Sequence, residues 1–129
     1  MSWEANTWAT KQRMKLPQEQ LVLMMLGNCA DPDGVAFAKW PGRDHWWRYL
    51  AKVTRLSRSS LFRHINTITA LGLASRTMIV LSDGSKRPTI TLNLDATFDI
   101  DAEAGRYAAA TARRESHGET DGEHCSDDD

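Results

Sequence analysis

A mainly α fold with a small β-wing, three helices packed as a core beside a two-stranded hairpin, follows from three observations. Residues 50–65 read as two short helices around a tight turn, with Ser57 as the N-cap of the second. Leu61, Ile65 and Ile68 then recur at helical spacing, and Gly72 stands where a helix ends in a left-handed residue. Finally, residues 74–81 and 88–94 are β-branched or Leu-rich and flank a loop at 82–87 containing the Asp83-Gly84 pair, a strong hairpin signal.

In chain order, residues 1–15 carry Trp3 and Trp8 and read as an extended arm laying its aromatics on the core. Pro17 suits the first turn of a helix, where its missing N–H costs nothing, and Leu21 to Leu26 continue that helix over 17–29. Asp31-Pro32-Asp33-Gly34 reads as a turn. Val35 and Phe37 suit a short strand before the breaker Trp40-Pro41-Gly42. A second helix is expected from an Asp44 cap to Thr54, with Trp46, Tyr49, Leu50 and Val53 as its apolar stripe. The third runs from Ser57 to Gly72. The core expected from these stripes is Leu21, Leu26, Leu50, Val53, Leu61, Ile65, Ile68 and Leu73.

The net charge of −1 hides a division. Residues 1–95 hold 13 Lys+Arg against 7 Asp+Glu, a net of +6, and residues 96–129 hold 3 Arg against 10 Asp+Glu, a net of −7. We therefore expect a basic domain over 1–95 and an acidic tail over 96–129. The tail's Ala-rich stretch 101–114 suits a helix, and 115–129 has no large apolar residue and is expected to be disordered. A basic globular part suits a polyanionic partner. The longest apolar run, Leu21 to Leu26, is too short to span a membrane, and the first residues lack the blocks of a secretory signal. With two cysteines only, Cys29 and Cys125, a reducing cytoplasm is the expected compartment.

The third helix has an outer face as well as an inner one. Arg58, Ser59, Phe62, Arg63 and Asn66 fall opposite Leu61, Ile65 and Ile68. Arginine bonds bidentately to guanine edges or pairs with phosphates, asparagine reaches adenine, and Phe62 suits a thymine methyl group. Ser57 caps the helix and leaves its first N–H groups facing a phosphate. Lys86 and Arg87 stand at the hairpin tip, suited to the backbone or minor groove. Double-stranded DNA is the expected partner. The bland alternative is a solvated helix face with one exposed Phe and a solvated basic turn.

Leu50-Ala51, Leu56-Ser57, Ser60-Leu61, Arg63, Ile65 and Leu71-Gly72-Leu73 resemble the winged helix-turn-helix pattern. Trp8, the Leu21–Leu26 helix, Cys29-Ala30-Asp31, Asp33-Gly34 and Trp40-Pro41 are similar to the N-terminal halves of such proteins encoded by phages, prophages and plasmids, many of them similar to the origin-binding or DNA-binding domains of replication initiation proteins. The resemblance covers residues 1–94 and implies sequence-specific DNA binding in replication initiation or its control. Two departures stand out. Arg55 replaces the usual turn glycine, which costs on the order of 1 kcal/mol and offers a phosphate contact in return. About four extra residues precede Leu50, adding Trp46 and Trp47, of which one is expected inward and the other at the surface or an interface.

Other readings predict different things. A transcriptional regulator needs only to occlude a promoter, often as a homodimer. A winged-helix protein-interaction module would not touch DNA. The tail offers a surface for a replication or transcription protein, or for a second copy; it can also compete with DNA for the basic face, or simply keep the protein soluble. Catalysis is not expected: the four His show no convincing Cys or carboxylate partner spacing. Nor is a cofactor or metal, since His117, His124 and Cys125 lie together in the acidic tail without a four-ligand set.

Overall fold

The computed structural model describes residues 3–38 and 45–113. Within them lie five helices: α1 (Trp3–Lys11), α2 (Pro17–Asn28), α3 (Trp46–Thr54), α4 (Arg58–Ala70) and α5 (Ala104–Arg113). Three strands, β1 (Val35–Ala36), β2 (Ala74–Val80) and β3 (Lys86–Leu92), form one antiparallel sheet in the order β1-β3-β2. The fold is thus a helical core with a small sheet, three-stranded rather than the expected two. Val35 pairs with Thr91 and Ala36 with Ile90, which adds β1 to the hairpin. The expected Asp44 cap, the Trp40-Pro41-Gly42 breaker, residues 115–129 and Cys125 lie outside the described residues.

Local chemistry sets the element ends. Helix α3 closes with Arg55 in the left-handed conformation, φ 61° and ψ 31°. The Arg55 N–H donates to the Lys52 carbonyl and the Leu56 N–H to that of Ala51, so two otherwise orphaned carbonyls are satisfied. Two residues on, the Ser57 hydroxyl accepts from the Ser60 N–H at 3.2 Å and starts α4. Gly72, φ 81°, ends α4 by the same double bond: Gly72 N–H to Thr69 and Leu73 N–H to Ile68. Its lack of Cβ suits that conformation.

The core holds Leu26, Leu50, Leu61, Ile65, Ile68 and Leu73 as expected. Leu21 and Val53 are each 38% exposed and leave the expected core. Helix α2 buries Val22, Leu23 and Leu26 instead. Helix α3 is rotated so that Trp46, Trp47, Leu50 and Thr54 face inward, and both tryptophans are buried, not one.

The N-terminal arm is also corrected. Residues 3–11 form a helix, not an extended arm, with Ala5, Trp8 and Ala9 buried and Trp3 exposed. Gly27 makes the close crossing of α1 and α2, where a Cβ would meet the Ala5 carbonyl oxygen at 2.8 Å. The start of the expected tail is packed rather than solvated. Trp8 Nε1 donates to the Ala96 carbonyl, and residues 98–100 exchange backbone bonds with Arg13. Phe98, Tyr107 and Ala110 are buried, and the Tyr107 hydroxyl donates to the buried Glu19 carboxylate. Arg106 donates to the Leu71 carbonyl, tying α5 to the end of α4. Among the described residues no helix is long and apolar enough to cross a membrane.

Candidate nucleic-acid interface

The hinge of the site is the α3–turn–α4 unit. Because Arg55 and Ser57 end one helix and start the next within three residues, α4 stands fixed against α3. Its inner stripe contains Leu61, Ile65 and Ile68, with Thr67 and His64 also buried. Ser59 and Arg63 are exposed on the other side, and Phe62 and Asn66 are half-buried beside them. Arg55 and Ser57 are exposed at the turn.

Two expected site residues are elsewhere. Arg58 is 6% exposed, its guanidinium 4.0 Å from the Trp47 ring centroid and 5.9 Å from that of Phe62. Counting back from Leu61 by three residues puts Arg58 on the inner stripe, and Trp47 absorbs its charge through the ring face. Arg87 is also 6% exposed and donates to the Phe37 carbonyl. Alternation along β3 buries Arg87 and Thr89 on one side, and burial pushes the Arg87 pKa down. Arg87 is therefore a sheet-packing residue and not a hairpin-tip cation. Lys86 remains exposed at the start of β3, opposite Val80.

Phe62 is less exposed than expected because its ring meets Trp47 edge-on, centroids 6.1 Å apart. The aromatic pair carries cations on several sides: Arg48 lies 5.5 Å from Trp47, and Arg76 of β2 lies 5.9 Å from Phe62. Arg76 Nη2 also donates to Asn66 Oδ1. Arg48, Lys52 and Ser57, with Trp47 and Arg58, line an open depression beside the start of α4.

Sequence reasoning missed Arg48, Lys52 and Arg76, all exposed. A signal for them exists. Residues 45–82 contain six Lys+Arg and no Asp or Glu. That stretch spans α3, the turn, α4 and β2, so every charge these elements present is positive at neutral pH, apart from any carried by His. The result is a surface with Arg48, Lys52, Arg55, Arg63 and Arg76 exposed around one helix. Such an arrangement attracts polyanions and satisfies phosphate oxygens.

Two cations outside this surface are paired with carboxylates. Arg13 pairs with Asp99 and Asp101, and Arg106 with Glu103. Among the described residues no group of three His, Cys, Asp or Glu is placed to hold a metal ion. No protein-family model matches the chain, and no curated protein or solved structure matches it either.

Proposed function

We propose that the protein binds double-stranded DNA as a winged helix-turn-helix, with α4 in the major groove and the β2–β3 hairpin along the flanking backbone. One observation carries this reading: the acid-free stretch 45–82 surrounds a capped helix with five exposed cations. The β2–β3 hairpin supports it, since β2 packs against α4, the helix that follows the turn. Arg63 and Ser59 face the groove from α4; Arg48, Lys52 and Arg55 face phosphates. The expected biological role is replication initiation or its control, with transcription regulation as the alternative. Mapping the bound sites on the parent genome, as clustered origin repeats or as a promoter palindrome, separates the two.

Fluorescence anisotropy of a labelled duplex tests the binding itself. The reading predicts saturable binding that weakens steeply with salt, because phosphate contacts release counterions. Arg63→Ala is expected to lower the magnitude of the salt slope by about one unit if it meets a phosphate, or to reduce sequence preference if it meets a base. Binding that ignores both salt and the Arg63→Ala substitution would remove the proposal.

A further inference from the structure

We infer that a base-reading group on this face is Arg76 of β2, aimed by Asn66 of α4, and that the pair selects a guanine; this rests on the DNA-binding reading above. Asn66 by itself suggests adenine. An asparagine reads adenine with its whole amide: Oδ1 accepts from N6 while Nδ2 donates to N7. Here Asn66 Oδ1 already accepts from Arg76 Nη2. One lone pair of the oxygen that would bond adenine is thus already given to a guanidinium, which also holds the amide in place.

The same contact prepares Arg76. An exposed arginine on a strand ordinarily loses much rotamer freedom on binding. Arg76 is held at two points, by the Asn66 oxygen and by the Phe62 ring 5.9 Å from its Cζ. Phe62 is itself set by Trp47, so the support runs back into the core. One Nη2 hydrogen is used, and the guanidinium has five N–H groups. The remaining donors include the pair needed for guanine O6 and N7. Arg76 comes from the sheet, yet it lies on the outer side of α4, where the half-buried Asn66 and Phe62 meet it. Asn66 is thus a positioning residue, and Arg76 is the group that touches the base.

The test is selection of bound sequences from a randomised duplex pool by the full chain, followed by affinity measurements for the parent, Arg76→Ala, Arg76→Lys, Asn66→Ala and the double variant. The parent is expected to require a guanine at one position. Arg76→Ala should lose that preference by roughly 5- to 150-fold, the range one bidentate contact supplies, while keeping salt-sensitive binding to scrambled duplex. Arg76→Lys should lose most of it, since a point charge cannot bond bidentately. Asn66→Ala should weaken preference at the same guanine, and the double variant should be no worse than Arg76→Ala, the non-additivity expected of coupled groups. A merely structural Asn66 would lower affinity evenly across sequences. Loss of an adenine position in Asn66→Ala, or unchanged selection in Arg76→Ala, would overturn the inference and leave DNA binding intact. Absence of salt-sensitive duplex binding by the parent would overturn both.

Discussion

Arg58 and Arg63 stand on the same helix in opposite surroundings, and substitution separates them. Arg58 is stacked on Trp47 and buried; Arg63 is exposed. Arg58→Ala is expected to lower stability by about 1–3 kcal/mol, through the lost cation–π contact and packed stem, and to leave the salt slope of DNA binding nearly unchanged. Arg63→Ala should do the reverse, with thermal denaturation close to the parent's. Arg87 follows Arg58. Its loss removes a hydrogen bond to the buried Phe37 carbonyl, and Arg87→Ala should cost about 1–3 kcal/mol by chemical denaturation. Sequence spacing gave the outward position of Arg63 correctly. It misplaced Arg58 because the charge outweighed the phase: residues 58, 61, 65 and 68 share a stripe, and only the partner Trp47 explains how an arginine can lie on it.

Elements were legible where local chemistry decides them. The Ser57 cap, the Gly72 end, the Asp31–Gly34 turn and the hairpin strands follow from residue types whose backbone preferences are strong. Elements decided by distant partners were not. Residues 3–11 have two tryptophans on a polar background, and their helix is held by α2 across the bare Cα of Gly27. Gly27→Ala is accordingly expected to destabilise by about 1–3 kcal/mol, because the new methyl group meets backbone and cannot be accommodated by a rotamer change. A shift below about 0.5 kcal/mol would show that the α1–α2 crossing yields readily to a methyl group. The segment after Asp95 reads as tail from its acidity and alanines, and only Phe98 and Tyr107 betray its docking. Cutting the chain after Asp95 should therefore lower the thermal midpoint strongly, as deletion of a buried Phe side chain alone costs about 3–5 kcal/mol. Helix α5 also carries a pH dependence. Arg106, with the Asp99 N–H, holds the Glu103 carboxyl below the usual carboxylate range. A lowered folded pKa gives stabilisation that is present above the unfolded carboxylate pKa and lost as pH falls through the folded one. Glu103→Gln should flatten the acid limb of the stability profile, measured by circular dichroism against pH.

At the scale of the whole molecule, charge and shape divide the protein. One side presents α4, the turn and β2 with no carboxylate between residues 45 and 82; Arg13, just past α1, and Arg106 of α5 are instead paired with acids. The docking of residues 96–110 moves part of the negative charge into ion pairs within the fold, so less of it is left to compete for the basic face. The fold gives the basic side one outward helix face on α4, with β2 of the hairpin packed against that helix. These features converge on one quantity, the dependence of duplex affinity on ionic strength. Measured by anisotropy with the full chain from about 50 to 300 mM salt, a plot of log affinity against log salt should be linear with a slope of roughly −3 to −4, the value for Arg48, Lys52, Arg55 and Arg63 engaging phosphates. A slope near zero, or no saturable binding at the lowest salt, would contradict the account.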